Sequence, residues 1–469
     1  ESPLDENLIW VGTDDGNLQV VTDGGKSWIN VSKNYEAAGI PAQTWVSSIE
    51  PSRFDKNTVY VTFDNHMYGD MNTYVAKSTD LGKTWTRIKS DEFTGFAHKI
   101  KEDLVNKDLL FVGTERGMFA TNDGGATWFR MKNHIPDYAM VRDIQIQPKT
   151  NDLVIATHGR GIMVVNDITP IRMLTKDVVD QDVVLFDSKP MEITTGKYGG
   201  GGSPVSGGWY GGNPDNIAPI EYYLKERATK DVKLEIYDAE GKLVQSVPGT
   251  KRKGVNKVYW NLRWTPPKTA TGSTKMDYGG FIAPMVLPGN YTLKLKVGDK
   301  EYSKLLSLVH DNSNKLFTVE DRKEQYDVAM RLYHMHEELY ALVNKINAEQ
   351  KTIKDNMDSL TRPQNKKLLK EYNTKLEELR STLLATKHKS IFADEKKLRE
   401  YITEVYGSVC GQECKPSNLQ TERVAVLMED LKKGQQTYEK LYAEYNTKTA
   451  AAIKDDKAKS KSPTPRSGN

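Results

Sequence analysis

Cysteine is nearly absent from this chain: two occur in 469 residues, Cys410 and Cys414. That scarcity excludes a disulfide-built scaffold and a four-thiolate zinc site, because the C-x3-C pair has no further thiol to join it. The pair stands in VCGQECKPSN, a Gly- and Pro-containing stretch that permits a local disulfide in an oxidising compartment, with two free thiols as the alternative. Long apolar runs are also missing; none approaches the ~20 residues that cross a bilayer, so no membrane span is expected. Charge of one sign is missing too, since 66 Lys and Arg face 63 Asp and Glu, a formal charge of +3. Such a balance gives no global field to attract nucleic acid, which is not expected as a partner. His334 and His336 stand two apart on a helical stretch and therefore point to different faces, so neither a metal nor a cofactor is expected.

What is present is a repeat. VVTDGGKSW, KSTDLGKTW and FATNDGGATW carry an acidic, glycine-containing turn and a tryptophan three times, and the aligned aspartates Asp23, Asp80 and Asp123 are 57 and 43 residues apart. Those periods suit four-stranded propeller blades. Each turn follows a β-rich run, as in LIWVGTDDGNLQVV and LLFVGTERGMFA, and precedes a Trp-led strand, WINV, WTRI or WFRM. The composition explains itself locally: Asp accepts from neighbouring backbone N–H groups, Gly25, Gly82 and Gly125 supply positive φ, and Ser or Thr adds a second bond. Trp28, Trp85 and Trp128 are then expected to turn their rings into the space between blades. A fourth unit runs through MVRDIQIQP, DLVIATHGRG and GIMVVND and loses the turn at ITPIRML; the first begins inside a blade, just after Glu1. Three or so blades would leave unpaired strands. The expectation is that the chain is the C-terminal part of a longer protein whose N-terminal portion, or another chain, completes the ring.

Beyond the repeats the pattern changes twice. TGKYGGGGSPVSGGWYGGNP, with Tyr198, Trp209 and Tyr210, reads as a linker or long loop. From Ile217 period-2 runs alternate with hairpin turns such as DAEG and VGDKE, and LPGNYTLKL resembles the Tyr corner of immunoglobulin- or fibronectin III-like modules, with Trp260 and Trp264 expected in that core. After a Thr318 cap the period becomes helical, with further helices near Pro363 to Lys389, Asp394 to Tyr406 and Leu419 to Thr447. The expected fold is mainly β with an α-helical C-terminal region. Its parts are a partial propeller over 1–190, a Gly-rich linker over 191–216, an Ig- or fibronectin III-like β-sandwich over 217–312, an antiparallel helical bundle over 313–450 and a disordered tail over 451–469.

STDLGKTW resembles the bacterial neuraminidase repeat, or Asp box, shared by sialidases, xyloglucanases and sortilin-type propellers. The longer strings WVSSIEPSRFDKNTVYVTFDNH, NKDLLFVGTERGMFATNDGGATW and NDLVIATHGRGIMVVNDI resemble large secreted bacterial sortilin-like proteins, often labelled glycosyl hydrolases by their repeats. The resemblance covers about the first 175 residues. It implies an exported protein, at the cell surface, in the periplasm or outside the cell, and a non-catalytic role in binding protein or glycan, within a larger chain or an outer-membrane or cell-surface assembly. The alternative it implies is a sialidase- or xyloglucanase-like hydrolase whose catalytic residues lie mostly in other blades. Two carboxyl groups at defined separation would then be needed. Asp64, Asp70, Glu115, Arg116, His158 and Arg160, on or beside turns where propeller loops gather, are the candidates for a ligand face.

Overall fold

The computed structural model describes residues 1–132, 135–194, 216–272, 282–313, 315–386 and 395–459. Tyr198, Trp209 and Tyr210 lie outside them. The chain forms two compact units, Glu1–Phe186 with Tyr223–Glu226, and Asp187–Tyr222 with Arg227–Asn469. The first is sheet-rich; the second joins sheets to a helical C-terminal region.

Four antiparallel meanders follow one another in the first unit. They are β1 (Ile9–Gly12), β2 (Leu18–Val21) and β3 (Ile29–Asn30), then, after α1 (Ser32–Glu36), β4 (Trp45–Pro51), β5 (Val59–Asp64), β6 (Tyr74–Ser78) and β7 (Thr86–Ile88). The third is β8 (Ala97–Glu102), β9 (Leu110–Thr114), β10 (Gly117–Thr121) and β11 (Phe129–Arg130), and the fourth is β12 (Met140–Ile146), β13 (Leu153–His158) and β14 (Ile162–Val165). Strands β5, β9 and β10 are buried along their whole length because successive sheets stack on both of their faces. Each interval between sheets holds its own apolar cluster. The first holds Trp10, Val61, Phe63 and Trp85, the second Tyr60, Val112, Phe119 and Trp128, and the third Phe111, Val141 and Ile155. Where the fourth meander would add a last strand, Pro170 opens the short helix α2 (Thr169–Met173), a position at which its missing N–H is no loss. Arg172 of α2 grips the buried Asp103 with Nε at 2.8 Å and Nη2 at 2.7 Å. Helix α3 (Lys176–Val179) and β15 (Val183–Leu185) complete the unit.

One expectation about the tryptophans fails. Trp85 and Trp128 are 9% and 7% exposed, Trp85 meeting Trp10 edge-on at 6.5 Å and Trp128 meeting Phe93 at 5.0 Å, but Trp28 is 43% exposed. The physical reason is that each ring packs toward the preceding sheet, and within this sequence no sheet precedes the first.

In the second unit β16 (Met191–Ile193), β17 (Ala218–Leu224), β18 (Val232–Tyr237), β19 (Leu243–Pro248), β20 (Gly254–Trp260), β21 (Gly289–Val297) and β22 (Lys300–His310) are the strands. Five run in the order β16-β22-β21-β18-β19, and β17 lies beside β20. The stretch read as a linker thus begins as a strand: Met191–Ile193 pairs in parallel with β22, burying Ile193. Trp260 and Trp264 are buried, and the Tyr291 hydroxyl donates to the Leu287 carbonyl at 2.7 Å.

Helices α4 (Val319–Met357), α5 (Pro363–Leu383), α6 (Leu398–Cys410) and α7 (Asn418–Lys459) turn apolar stripes into one core that contains Leu332, Leu339, Leu376, Ile402 and Leu427. Thr318 and Asp321 form the capping box of α4. Helix α5 stops at Leu383, short of Lys389, because Leu384 and Ala385 turn inward and the Ala385 N–H donates to the Glu400 carboxylate at 3.1 Å. Helix α6 starts at Leu398, after Asp394, and runs past Tyr406 to Cys410. Helix α7 continues to Lys459, into the stretch read as a disordered tail, since the alanines at 450–452 favour helix and Ala452 packs into the core. The two cysteines are free, which corrects the expected disulfide: Cys410 ends α6 with its thiol in the core, pushed up to about 12 by burial, while Cys414 is exposed.

His334 is exposed and His336 buried against Tyr406, ring centroids 5.3 Å apart, with neither imidazole nitrogen of His336 hydrogen-bonded. Burial first, and the Arg399 charge second, push the His336 pKa down to about 4. The folded chain keeps this ring neutral while the unfolded chain protonates it near 6.5, so its contribution is complete above pH 6.5 and declines as pH falls toward 4. The decline amounts to up to about 3 kcal/mol. His336→Leu is therefore expected to flatten the acid limb of a chemical-denaturation profile between those pH values; an unchanged slope would refute the assignment.

Candidate functional site

The first strands of the second, third and fourth meanders share an irregularity. Register shifts between Val46 and Ser48 on β4, Ala97 and Lys99 on β8, and Val141 and Asp143 on β12, leaving Ser47, His98 and Arg142 outside the ladder. A bulge of this kind re-aims its extra side chain and is common beside functional sites. β4 packs on β8 and β8 on β12, so the three bulges form a row. The partner strands end at the same level: Phe63, Thr114 and Thr157 pair with Val46, Ala97 and Val141, which makes Asp64, Glu115 and His158 equivalent rim residues.

Asp64 is the centre of this rim. Its side chain is fully buried; Oδ1 lies 2.6 Å from His66 Nδ1 and accepts the His66 backbone N–H at 3.0 Å, and Oδ2 lies 3.6 Å from His98 Nδ1. Burial alone would raise this carboxyl, but the nearby His98 ring and the bonds from the His66 backbone and ring outweigh it and hold Asp64 below the usual carboxylate range. Arg142 Nη1 approaches both ring nitrogens of His98, Nε2 at 3.0 Å and Nδ1 at 3.3 Å. Trp45 stands edge-on to His98 at 5.4 Å, and His66 stacks on Phe96 at 4.5 Å. The Ser47 hydroxyl bridges toward Thr62 at 3.0 Å and the Ala97 carbonyl at 3.2 Å. Lys99 is paired with Asp143 at 3.1 Å, whereas Arg142 has no carboxylate partner among the described residues.

Of the rim candidates, the structure brings only Asp64 into this cluster. The Glu115 carboxylate lies over Gly95 and 3.5 Å from Arg116 Nε, and Arg116 sits over the Tyr138 ring. His158 and Arg160 are exposed on the fourth meander. Asp70 holds its own turn, accepting from Asn65, Asn72 and Tyr74. Ser47, His98 and Arg142 escape a reading of the sequence because a one-residue bulge leaves no mark in a period-2 pattern, and His66 and Trp45 because their role follows only from standing beside Asp64 and His98. Among the described residues no group of three or more His, Cys, Asp or Glu side chains is placed to hold a metal ion, and no helix is long and apolar enough to cross a membrane.

The repeated acidic turns join the last two strands of the first three meanders, at the end away from the rim. Asp80 Oδ1 accepts from the Thr84 N–H at 2.9 Å and the Ser78 hydroxyl at 2.8 Å, and Oδ2 from the Thr84 hydroxyl at 2.6 Å. Asp123 repeats this set with Thr127 and Thr121, while Asp23 accepts the Lys26 and Ser27 N–H groups at 2.9 and 3.0 Å. The indole N–H of Trp28, Trp85 and Trp128 donates to the carbonyl of Gly25, Gly82 and Gly125 at 3.2, 3.1 and 3.1 Å. Leu81 adopts a φ of 59° where Gly24 and Gly124 stand in the other two turns. With its acceptors gone, Asp80→Ala is expected to lower stability by about 1–3 kcal/mol in denaturant titration; an unchanged midpoint would remove the turn from the list of folding determinants.

No family model matches the chain, and no curated protein matches it. Solved structures similar to it include YCF48 from Cyanidioschyzon merolae, 17% identical over 36% of this chain and 51% of that one with a TM-score of 0.26. The GH74 xyloglucanase from Xanthomonas campestris is 13% identical over 68% of this chain and 46% of that one, TM-score 0.29. PorZ, a surface component of the type-IX secretion system of Porphyromonas gingivalis, is 13% identical over 65% and 50%, TM-score 0.22. The matched part spans about half the length of those chains. Likeness at this level is weak and assigns no activity.

Proposed function

We propose that the chain is the C-terminal portion of an exported, sortilin-like Asp-box propeller protein that acts as a non-catalytic protein- or glycan-binding subunit. The four meanders are then successive blades, and a further blade from the same precursor or from a companion chain covers the first. The observation that supports this most is Trp28. It makes the same bond to its turn glycine as Trp85 and Trp128, yet it alone is largely uncovered. Val11, at the position of the fully buried Val61 and Val112, is 42% exposed on the same side. An apolar sheet face of this kind calls for a partner.

In this reading the bulge row is the ligand side: Arg142 offers an uncompensated charge, and Trp45 an aromatic surface beside it. Binding fits better than hydrolysis, because Asp64 is buried and held by the His66 N–H and ring, while hydrolysis needs a pair of carboxyl groups with separate roles. The test is to isolate the protein from its native source, measure intact mass, and identify every co-eluting chain. The expected result is a larger polypeptide or a tight companion that contributes further Asp-box blades. A lone, monomeric chain of 53.0 kDa with its full binding capacity would overturn the proposal.

A further inference from the structure

Strand β14 stands at the open edge of the fourth meander and reads IMVV, without a charge, a proline or a register shift. Natural proteins blunt an exposed edge with one of those devices, since a bare row of backbone donors and acceptors invites another strand. Its side chains are equally unprotected. Ile162 pairs with Ala156 where Val75 pairs with Thr62 and Met118 with Gly113, and Val164 pairs with Val154 where Ala120 pairs with Phe111. Val75, Met118 and Ala120 are fully buried against the sheet that follows, whereas Ile162 and Val164 are 72% and 52% exposed. The first three meanders show what belongs beside this edge. In each, the strand equivalent to β14 carries a further antiparallel strand: β3 on β2, β7 on β6 and β11 on β10. After β14 the chain turns into α2 instead, and no strand pairs with its outer side among the described residues.

We propose that β14 accepts an antiparallel strand from the further blades of the precursor, and that a sheet of those blades covers Ile162 and Val164. The inference rests on the precursor reading given above and adds to it a second docking surface, on the fourth meander, to the one that Trp28 and Val11 mark on the first. The two surfaces are complementary halves of one interval. Trp28 and Val11 occupy positions that pack toward a preceding sheet, while Ile162 and Val164 occupy positions that pack toward a following one. Blades that meet both repeat the packing already present between the four meanders. The edge holds its strand through main-chain hydrogen bonds. The covering face is apolar, because a charged one laid on Ile162 and Val164 would be buried without a partner.

The experiment compares amide hydrogen exchange in the protein isolated from its native source with exchange in the 469-residue chain alone. The expected result is a slowing of about tenfold or more at residues 162–165 in the native protein, together with slowing around Trp28. Ile162→Lys combined with Val164→Lys should leave the Tm of the chain alone unchanged, because both side chains already face solvent there, and should remove the slowing at 162–165 when the native protein carries it. Leu243→Lys, at an exposed strand position of the second unit, should keep that slowing. Slowing around Trp28 with unchanged exchange at 162–165 would overturn this inference and leave the precursor reading standing, whereas no slowing at either place would overturn both. Slowing at 162–165 that a separate companion chain produces would overturn the assignment to the precursor. Should the double variant fail to fold, the comparison on the unaltered protein still decides.

Discussion

Trp85→Ala is expected to lower the stability of the first unit by about 3–5 kcal/mol, the range for truncating a buried aromatic side chain, whereas Trp28→Ala should change it by less than about 1 kcal/mol. The two residues occupy the same place in the same turn and make the same bond to a glycine carbonyl, at 3.1 and 3.2 Å. Their difference lies in what the ring meets. Trp85 fills the interval between the first two meanders with Trp10, Val31 and Phe63, and Gly82 admits the Trp10 ring within 3.2 Å of where a Cβ would stand. Trp28 meets solvent on that side. Chemical denaturation of both variants measures the contrast directly, and equal losses would show that the turn, not the packing, carries the energy. The same pair tests the proposed further blade: once it is bound, Trp28→Ala should become as damaging as Trp85→Ala.

A second large effect is expected at the pair of Asp103 and Arg172. Both side chains are buried, and the carboxylate also accepts the Val105 and Asn106 N–H groups at 3.0 and 2.9 Å. Arg172→Met should cost about 3–5 kcal/mol, because it strands a buried carboxylate without its counter-charge. Combining it with Asp103→Asn should recover most of that loss, since asparagine keeps an acceptor for the two backbone donors while removing the charge. The comparison is a double-mutant cycle by denaturant titration. Additive losses would mean that Arg172 acts through packing of α2 alone.

How much of this could be read from residues varies with the scale of the feature. The acidic turns were legible because Asp, Gly and Trp recur at fixed offsets and each has one local reason to be there. Hairpins around DAEG and VGDKE, and the Thr318 cap, were legible for the same reason: a turn or a cap is decided by residues within four positions. What escaped depends on distant neighbours. Trp28 has the same local sequence as Trp85, so its exposure follows only from which sheet lies beside it. Cys410 and Cys414 look close along the chain, but the helical register sends one thiol into the core and leaves the other in solvent. The end of α5 was misplaced because Leu384 leaves the helix to bury itself and Ala385 is caught by Glu400, fifteen residues on. At the rim, Asp64 was visible as a polar residue at the end of an apolar strand, while His98 and Arg142 were not, because nothing in HKIKE or VRDIQI reveals the slipped residue.

The row of bulges has one more consequence. A residue that stands outside the ladder can be exchanged without altering which backbone groups pair, so the three positions act as sockets on an unchanging frame. They already hold three different chemistries: a hydroxyl at Ser47, an imidazole at His98 and a guanidinium at Arg142. Trp85 and Trp128, at the far ends of their sheets, are fixed by packing between sheets, whereas the three bulged residues are held by side-chain contacts at the rim. Under the binding role proposed above, a library confined to these three codons would vary the chemistry of the rim while leaving the strand pairing unaltered.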